Sequence, residues 1–277
     1  MIRLTLILLL LLLGGVDNTT SVSLILEADL LHISGDLQGA REKLLEALEH
    51  DPSDIYGRNL LGMVLLKLDQ PKAAADQFSY VQVLDPSNET AATWLGILAM
   101  HKKDIEGALA EFNGILERDP SNANAHYFMG SLYLLRGRYE TALSHLLHSR
   151  DIDSGESETH YRLGMVFHSL DLLANAELSY RRALDIDSRH QGARCGLGWI
   201  LYSNGDTENA LSEWQRVLQI NESNQEARSN MAKVLHEQAL SAYTGGDQEK
   251  ARSLWHRLQR LDPRNKAARY YLNEMGQ

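Results

Sequence analysis

The sequence predicts an all-α protein, a solenoid of seven stacked helical hairpins, and three observations carry that expectation. An Asp-Pro step recurs at Asp51, Asp85 and Asp119, 34 residues apart, and the spacing continues through Asp153, Asp187 and Asn221. Two columns of small residues keep a fixed register inside that period. The 277 residues are 44% apolar with only five prolines and 20 glycines, so a packed core is expected and a low-complexity chain is excluded. Self-similarity at such a period is the mark of a repeat architecture.

In chain order, the first element stands apart. Arg3 precedes a run from Leu4 to Leu13 that is apolar except for Thr5, and Gly14-Gly15 follows. Ten helical residues rise about 15 Å, roughly half the hydrocarbon core of a bilayer. That length suits a secretory signal peptide better than a membrane span. Residues 1–20 are therefore expected to be a signal peptide, with the protein exported to the periplasm or the extracytoplasmic face of a membrane. The alternative is an N-terminal anchor attached through residues 4–16, because Leu13 spoils a cut after Gly15. No cysteine follows the run, which excludes a bacterial lipoprotein anchor.

Seven repeats are expected over 21–265: 21–54, 55–88, 89–122, 123–156, 157–190, 191–224 and 225–265. The last is seven residues longer, about two helical turns, which lengthens a helix without rotating its buried face. Position 8 of the unit carries Ala28, Gly62, Gly96, Gly130, Gly164, Gly198 and Ala232. Position 20 carries Ala40, Ala74, Ala108, Ala142, Ala176, Ala210 and, past the insertion, Ala251. Glycine inside a helix costs about 1 kcal/mol relative to alanine. A column of five demands a compensating gain, which two closely packed helix backbones would supply. Position 24 is large throughout: Leu44, Phe78, Phe112, Leu146, Tyr180, Trp214 and Trp255. Gly35, Gly137, Gly205 and Gly246 stop the first helix of their units. Residues 266–277, with Ala268, Tyr271, Leu272 and Met275, fit a helix that caps the last unit.

This pattern resembles the tetratricopeptide repeat, a 34-residue helix–turn–helix with small residues at positions 8 and 20. The resemblance covers about 245 residues and implies a right-handed superhelical α-solenoid. Position 4 departs from it with Arg58, His126, His160, Arg194 and Arg228, and Glu27 breaks the apolar column at position 7.

Solenoids bind along the concave surface formed by their first helices. In the resembled family, positions 2, 5, 9 and 12 face that surface. The resemblance therefore implies a groove that includes Tyr56, Asn59, Met63, Ile97, Met100, Tyr127, Tyr161, Met165, His168, Trp199 and Tyr202. Aromatic and Met side chains supply adaptable contact area, so the expected occupant is a segment of a protein or peptide partner. A formal charge of −10 argues against a general nucleic-acid binder. Oligomeric state is open, with the capped end favouring a monomer.

Chemistry is not expected. Cys195 is the single cysteine, His145 and His148 lack further metal ligands, and Gly196-Leu197-Gly198 belongs to the repeat rather than a nucleotide loop. No catalytic residue, metal or cofactor is assigned. The family's clamp for chaperone C-termini needs a lysine at position 5, which reads Ile25, Asn59, Thr93, Tyr127, Tyr161, Cys195 and Ser229. A non-catalytic interaction scaffold serving cell-envelope or secretion-related assembly is the expected function. A membrane-tethered cochaperone-like or regulatory adaptor is the alternative.

Overall fold

Two turn chemistries, each repeated in every unit, cut the chain into hairpins. Within a hairpin, position 15 is left-handed in all seven repeats: Gly35, Asp69, Lys103, Gly137, Asp171, Gly205 and Gly246 have φ between 57° and 91°. Such a residue releases the helix into the next one. Between hairpins, the Asp or Asn at position 31 bends the chain with its own carboxylate or amide. Asp51 Oδ1 accepts the Ser53 N–H at 3.0 Å, and Asp85, Asp119, Asp153, Asp187, Asn221 and Asp262 make the same bond two residues on.

The computed structural model describes residues 16–275, which contain fifteen α-helices and no strand. The proposed leader run at residues 4–15 lies outside the described residues. Helices α1 (Val16–Ser34) and α2 (Leu37–His50) form the first hairpin, α3 (Ile55–Lys67) and α4 (Pro71–Leu84) the second, α5 (Glu89–His101) and α6 (Ile105–Arg118) the third. Next come α7 (Ala123–Leu135) and α8 (Tyr139–Ile152). The later pairs are α9 (Ser157–Ser169) with α10 (Leu173–Ile186), α11 (Gln191–Ser203) with α12 (Thr207–Ile220), and α13 (Gln225–Thr244) with α14 (Gln248–Leu261). Helix α15 (Lys266–Glu274) closes the chain. The seven extra residues appear as a 20-residue α13, against 13 in α3, α5, α7, α9 and α11. Residues 16–20, assigned from sequence to the leader, are helical and continuous with the first repeat.

The chain divides into two compact units, one ending at Leu132 and the other beginning at Tyr133. The first has its core around Leu44, Leu60, Leu61, Phe78 and Val81. Leu30 and Ile33 on α1 remain 69% and 75% exposed. Glu27 is exposed at the column where later repeats bury Leu61, Met129, Leu163, Leu197 and Met231 and half-bury Leu95; no hairpin precedes it among the described residues. The second has its core around Tyr180, Leu197, Ile200, Trp214, Met231 and Trp255. Its end is covered by α15: Ala268 is fully buried and the Tyr271 ring stacks on Trp255 at 4.8 Å.

The alanines at position 20 are all fully buried. The position-8 glycines have a different purpose from the backbone contact expected. A Cβ on Gly62 would lie 2.5 Å from the Phe78 ring; on Gly96, 2.6 Å from Phe112; on Gly164, 2.5 Å from Tyr180; on Gly198, 2.5 Å from Trp214. Each glycine seats the ring that its own repeat presents from position 24. That burial offsets the helix penalty.

Position 4, the departure from the family pattern, has a role of its own. Arg58 Nε donates to the Pro52 carbonyl at 2.7 Å, and Arg194 Nη2 to Ser188 at 2.7 Å. Arg228 reaches the Glu222 carbonyl, while the His126 and His160 rings lie 3.1 and 3.2 Å from those of Pro120 and Ser154. All five side chains grip the carbonyl six residues back, at position 32. Arg58 and Arg194 also reach Gln77 and Glu213 on the second helix of their own repeats. These residues fasten turn to hairpin.

Candidate functional site

In the first unit, α1 and α3 meet at a few residues, so these two first helices are neighbours. Of the groove residues expected there, Tyr56 is 57% exposed. Met63, Ile97, Met100 and Tyr127 are half-buried, Met63 packing on the core and Tyr127 edge-on to Phe128 at 5.1 Å. Asn59 is buried instead: its amide donates to Asn88 Oδ1 at 3.2 Å, and Asn88 caps α5. Asn59 joins two repeats and is not part of an open surface.

In the second unit α9 contacts α11 directly, and the stripe resolves into two clusters. Trp199 and Tyr202, one turn apart on α11, meet edge-on at 5.8 Å, and both approach Trp214 beneath them. Lys233 places its ammonium 5.1 Å from the Trp199 ring centre, and the Tyr202 hydroxyl donates to Glu237. Both rings are half-buried and flanked by one cation and one anion from α13. Tyr161 belongs to the other cluster. Its ring lies against α11, where a Cβ on Gly192 would come within 2.7 Å, and 4.7 Å from His190. Met165 is half-buried beside Arg162, and His168 is exposed. Tyr161 and Trp199 share the core but not a direct ring contact among the described pairs.

A polar network missed in the sequence surrounds the Tyr161 cluster. His190 Nδ1 accepts the Ala193 N–H at 3.1 Å and caps α11, so Nε2 carries the proton and donates to Glu158 at 3.0 Å. Glu158 also pairs with Arg162 at 3.0 Å. The signal was available: position 34 is Asp or Asn in five of the seven units, and His190 replaces it with a side chain able to reach a second partner.

Electrostatics here favour neutral groups. Cys195 is fully buried, and burial together with the Glu226 carboxylate pushes its thiol up to about 12. It stays a thiol at neutral pH and is no nucleophile. Burial also raises Tyr161, Tyr180 and Glu226, and the Glu237 hydrogen bond raises Tyr202. Among the described residues no cluster of His, Cys, Asp or Glu is placed to hold a metal, and no helix is long and apolar enough to cross a membrane. The position-4 cations, committed to turn carbonyls, form no anion site. What the stripe offers is contact area with polar edges.

Comparison with known proteins agrees with this architecture. Models described as tetratricopeptide repeat match residues 59–123, 106–157 and 157–190, and one described as TPR repeat matches 198–238. No curated protein sequence matches significantly. Among solved structures, the C-terminal part of a TPR repeat-containing protein from Cytophaga hutchinsonii aligns with a TM-score of 0.67 at 16% identity, over 88% of this chain and 97% of the other. PilW, described as a widely conserved type IV pilus biogenesis factor, aligns at 0.66 and 16% identity, over 76% and 97%. YrrB, described as a TPR protein with an unusual peptide-binding site, aligns at 0.52 and 19% identity, over 66% and 95%. With the period, the two small-residue columns and the hairpins in place, these matches establish that the chain belongs to the tetratricopeptide repeat family.

Proposed function

We propose that this protein is a non-catalytic scaffold that holds a segment of a partner polypeptide along its first helices, with the Trp199–Tyr202 pair as the anchor. The observation that carries the reading is the pairing of two half-buried rings with Lys233 on one and Glu237 on the other. Rings give contact area at low entropy cost, and the flanking charges orient a peptide that carries both signs. The peptide-binding description of YrrB supports this use of the fold.

We further propose that it acts outside the cytoplasm in assembling a cell-envelope or secretion apparatus. The apolar run after Arg3 and the likeness to a pilus biogenesis factor support that placement. Fractionation tests it: a mature form about 15–21 residues shorter than the full chain supports export, and a full-length cytoplasmic form overturns it.

A photoreactive residue replacing Tyr202 tests the groove. We expect a discrete cross-linked partner that disappears in Trp199→Ala and in Lys233→Glu, the second a surface change that leaves the packing intact. Equal cross-linking from Ser144, exposed on α8 and away from these rings, would remove the groove from the function.

A further inference from the structure

The second unit carries another recess, on the opposite face of α13. Its floor is Met231, Leu235 and Gln238, about half a turn around the helix from Ser229, Lys233 and His236. Helix α12 forms one wall with Leu211, Gln215 and Gln219, and α14 the other with Leu254, Arg257 and Arg260. Two clefts of about 570 and 320 Å³ share Gln215 and Arg257 and run together as one trough. The insertion in the last repeat accounts for this register: seven added residues carry the start of α14 roughly 10 Å further along α13.

The trough is basic within an acidic chain. Residues 248–277 hold seven Lys or Arg against three Asp or Glu, while the whole chain has a net charge of −10. Arg257 is half-buried, yet neither it nor Arg260 nor Lys250 makes a side-chain hydrogen bond or ion pair among the described residues. Arg216, on the rim, is paired with Glu213 at 2.7 Å, and Glu208 is the carboxylate in the lining. The guanidinium nitrogens of Arg257 have no protein partner and are not sealed from solvent, so a carboxylate can replace water there through charge-assisted hydrogen bonds.

We propose that this trough binds an acidic segment of a partner polypeptide, its carboxylates on Arg257 and Arg260 and its apolar side chains on Leu254 and Leu261. The cations line the walls of a recess instead of a flat patch, and Gln215, Gln219 and Gln238 offer amides to a peptide backbone. Both features favour a peptide over an anionic membrane. From Glu208 to Gln219 the wall runs about 17 Å, the length of roughly five extended residues. The site is independent of the Trp199–Tyr202 stripe.

A fluorescein-labelled peptide of alternating Glu and Leu, about ten residues long, tests it by anisotropy on the full chain. We expect saturable binding that weakens at least tenfold in Arg257→Glu/Arg260→Glu, weakens with added salt, and is unaffected by Lys233→Glu. Arg257→Gln/Arg260→Gln, with helicity checked by circular dichroism, should lose most of the same affinity. Equal binding by a peptide with Lys in place of Glu, or no binding, overturns the proposal. So does arginine-dependent sedimentation with phosphatidylserine vesicles in the absence of peptide binding, which would assign the trough to a membrane surface.

Discussion

The two compact units repeat one hairpin but fill it differently. In the first, position 24 is Leu44, Phe78 and Phe112; in the second it becomes Leu146, Tyr180, Trp214 and Trp255. A phenyl ring needs only a seat. Tyr and Trp also bring a polar atom that must be satisfied or left buried. Trp214 Nε1 donates to the Cys195 carbonyl at 3.2 Å, whereas Trp255 Nε1 is buried without a partner. The second unit therefore replaces phenyl rings with larger, polar-tipped ones and gathers titratable groups whose neutral forms are favoured. The candidate anchor Trp199–Tyr202 stands on that aromatic floor.

Removing the floor should have the largest effect. Trp214→Ala leaves a cavity under Trp199 and frees the Cys195 carbonyl, at an expected cost of about 3–5 kcal/mol. Hydrogen exchange should show protection lost through α11, α12 and α13 while α3 to α6 keep theirs. Phe78→Ala should give the converse map. Uniform loss in either variant would mean that the array melts as one body and that the contrast between units has no energetic meaning.

A smaller effect separates the two arginine clamps. Arg194 holds a turn carbonyl and forms an ion pair with Glu213 in which both side chains are largely buried. Arg58 holds a carbonyl and the neutral Gln77. Charge-assisted hydrogen bonds contribute about 1.5–3 kcal/mol each, and truncating one leaves its partner unsatisfied. We expect Arg194→Ala to lower stability by roughly 3 kcal/mol and Arg58→Ala by roughly 1–2 kcal/mol in urea titrations. Equal losses would show that the carbonyl grip, and not the ion pair, carries the clamp.

These clamps mark where the sequence was legible and where it was not. The period, the hairpins, the alanine column and the capping helix were readable because each follows from spacing that any stacked helical pair must obey. Position 4 looked like degradation of the family pattern, since its partner is a backbone carbonyl that has no letter in the sequence. The glycines of position 8 were found, but not their purpose. Four of the five, Gly62, Gly96, Gly164 and Gly198, lie under the ring sixteen residues on, a contact that spacing alone does not reveal. Spacing also placed Asn59 in the groove, while a hydrogen bond to a helix cap draws it out of reach. The trough between α12 and α14 was invisible because it arises from an offset between helices far apart in sequence.

Alkaline pH should distinguish the units next. Cys195, Tyr161, Tyr180 and Tyr202 all have raised values in the second unit. In the unfolded chain such groups release protons from about pH 9–10, while the folded state retains them. The native state then binds more protons than the unfolded one, so stability falls as pH rises above 9. Urea unfolding at pH 8 and pH 10 should show the loss concentrated in residues 133–277. Cys195→Ala should flatten part of the slope, by on the order of 1 kcal/mol at pH 10. An equal loss in the first unit would point to net charge and not to these buried groups.

The smallest effect concerns backbone conformation alone. Left-handed φ is demanded once in every repeat, and the first unit meets it twice without glycine, at Asp69 and Lys103, against Asp171 alone in the second. A non-glycine residue pays about 1–2 kcal/mol for that conformation. Glycine removes the strain but adds about 0.4–1 kcal/mol of unfolded-chain entropy. Lys103, exposed and with φ of 61°, should therefore gain roughly 0.5–1 kcal/mol on Lys103→Gly, read as a raised midpoint for the first unit. Gly205→Ala, with open space around it and φ of 85°, should lose a similar amount from the second. Lys103 makes no side-chain hydrogen bond or ion pair among the described residues, so a fall in stability on Lys103→Gly could not be charged to a lost contact. It would show that the turn takes its shape from the flanking helices and that position 15 merely follows.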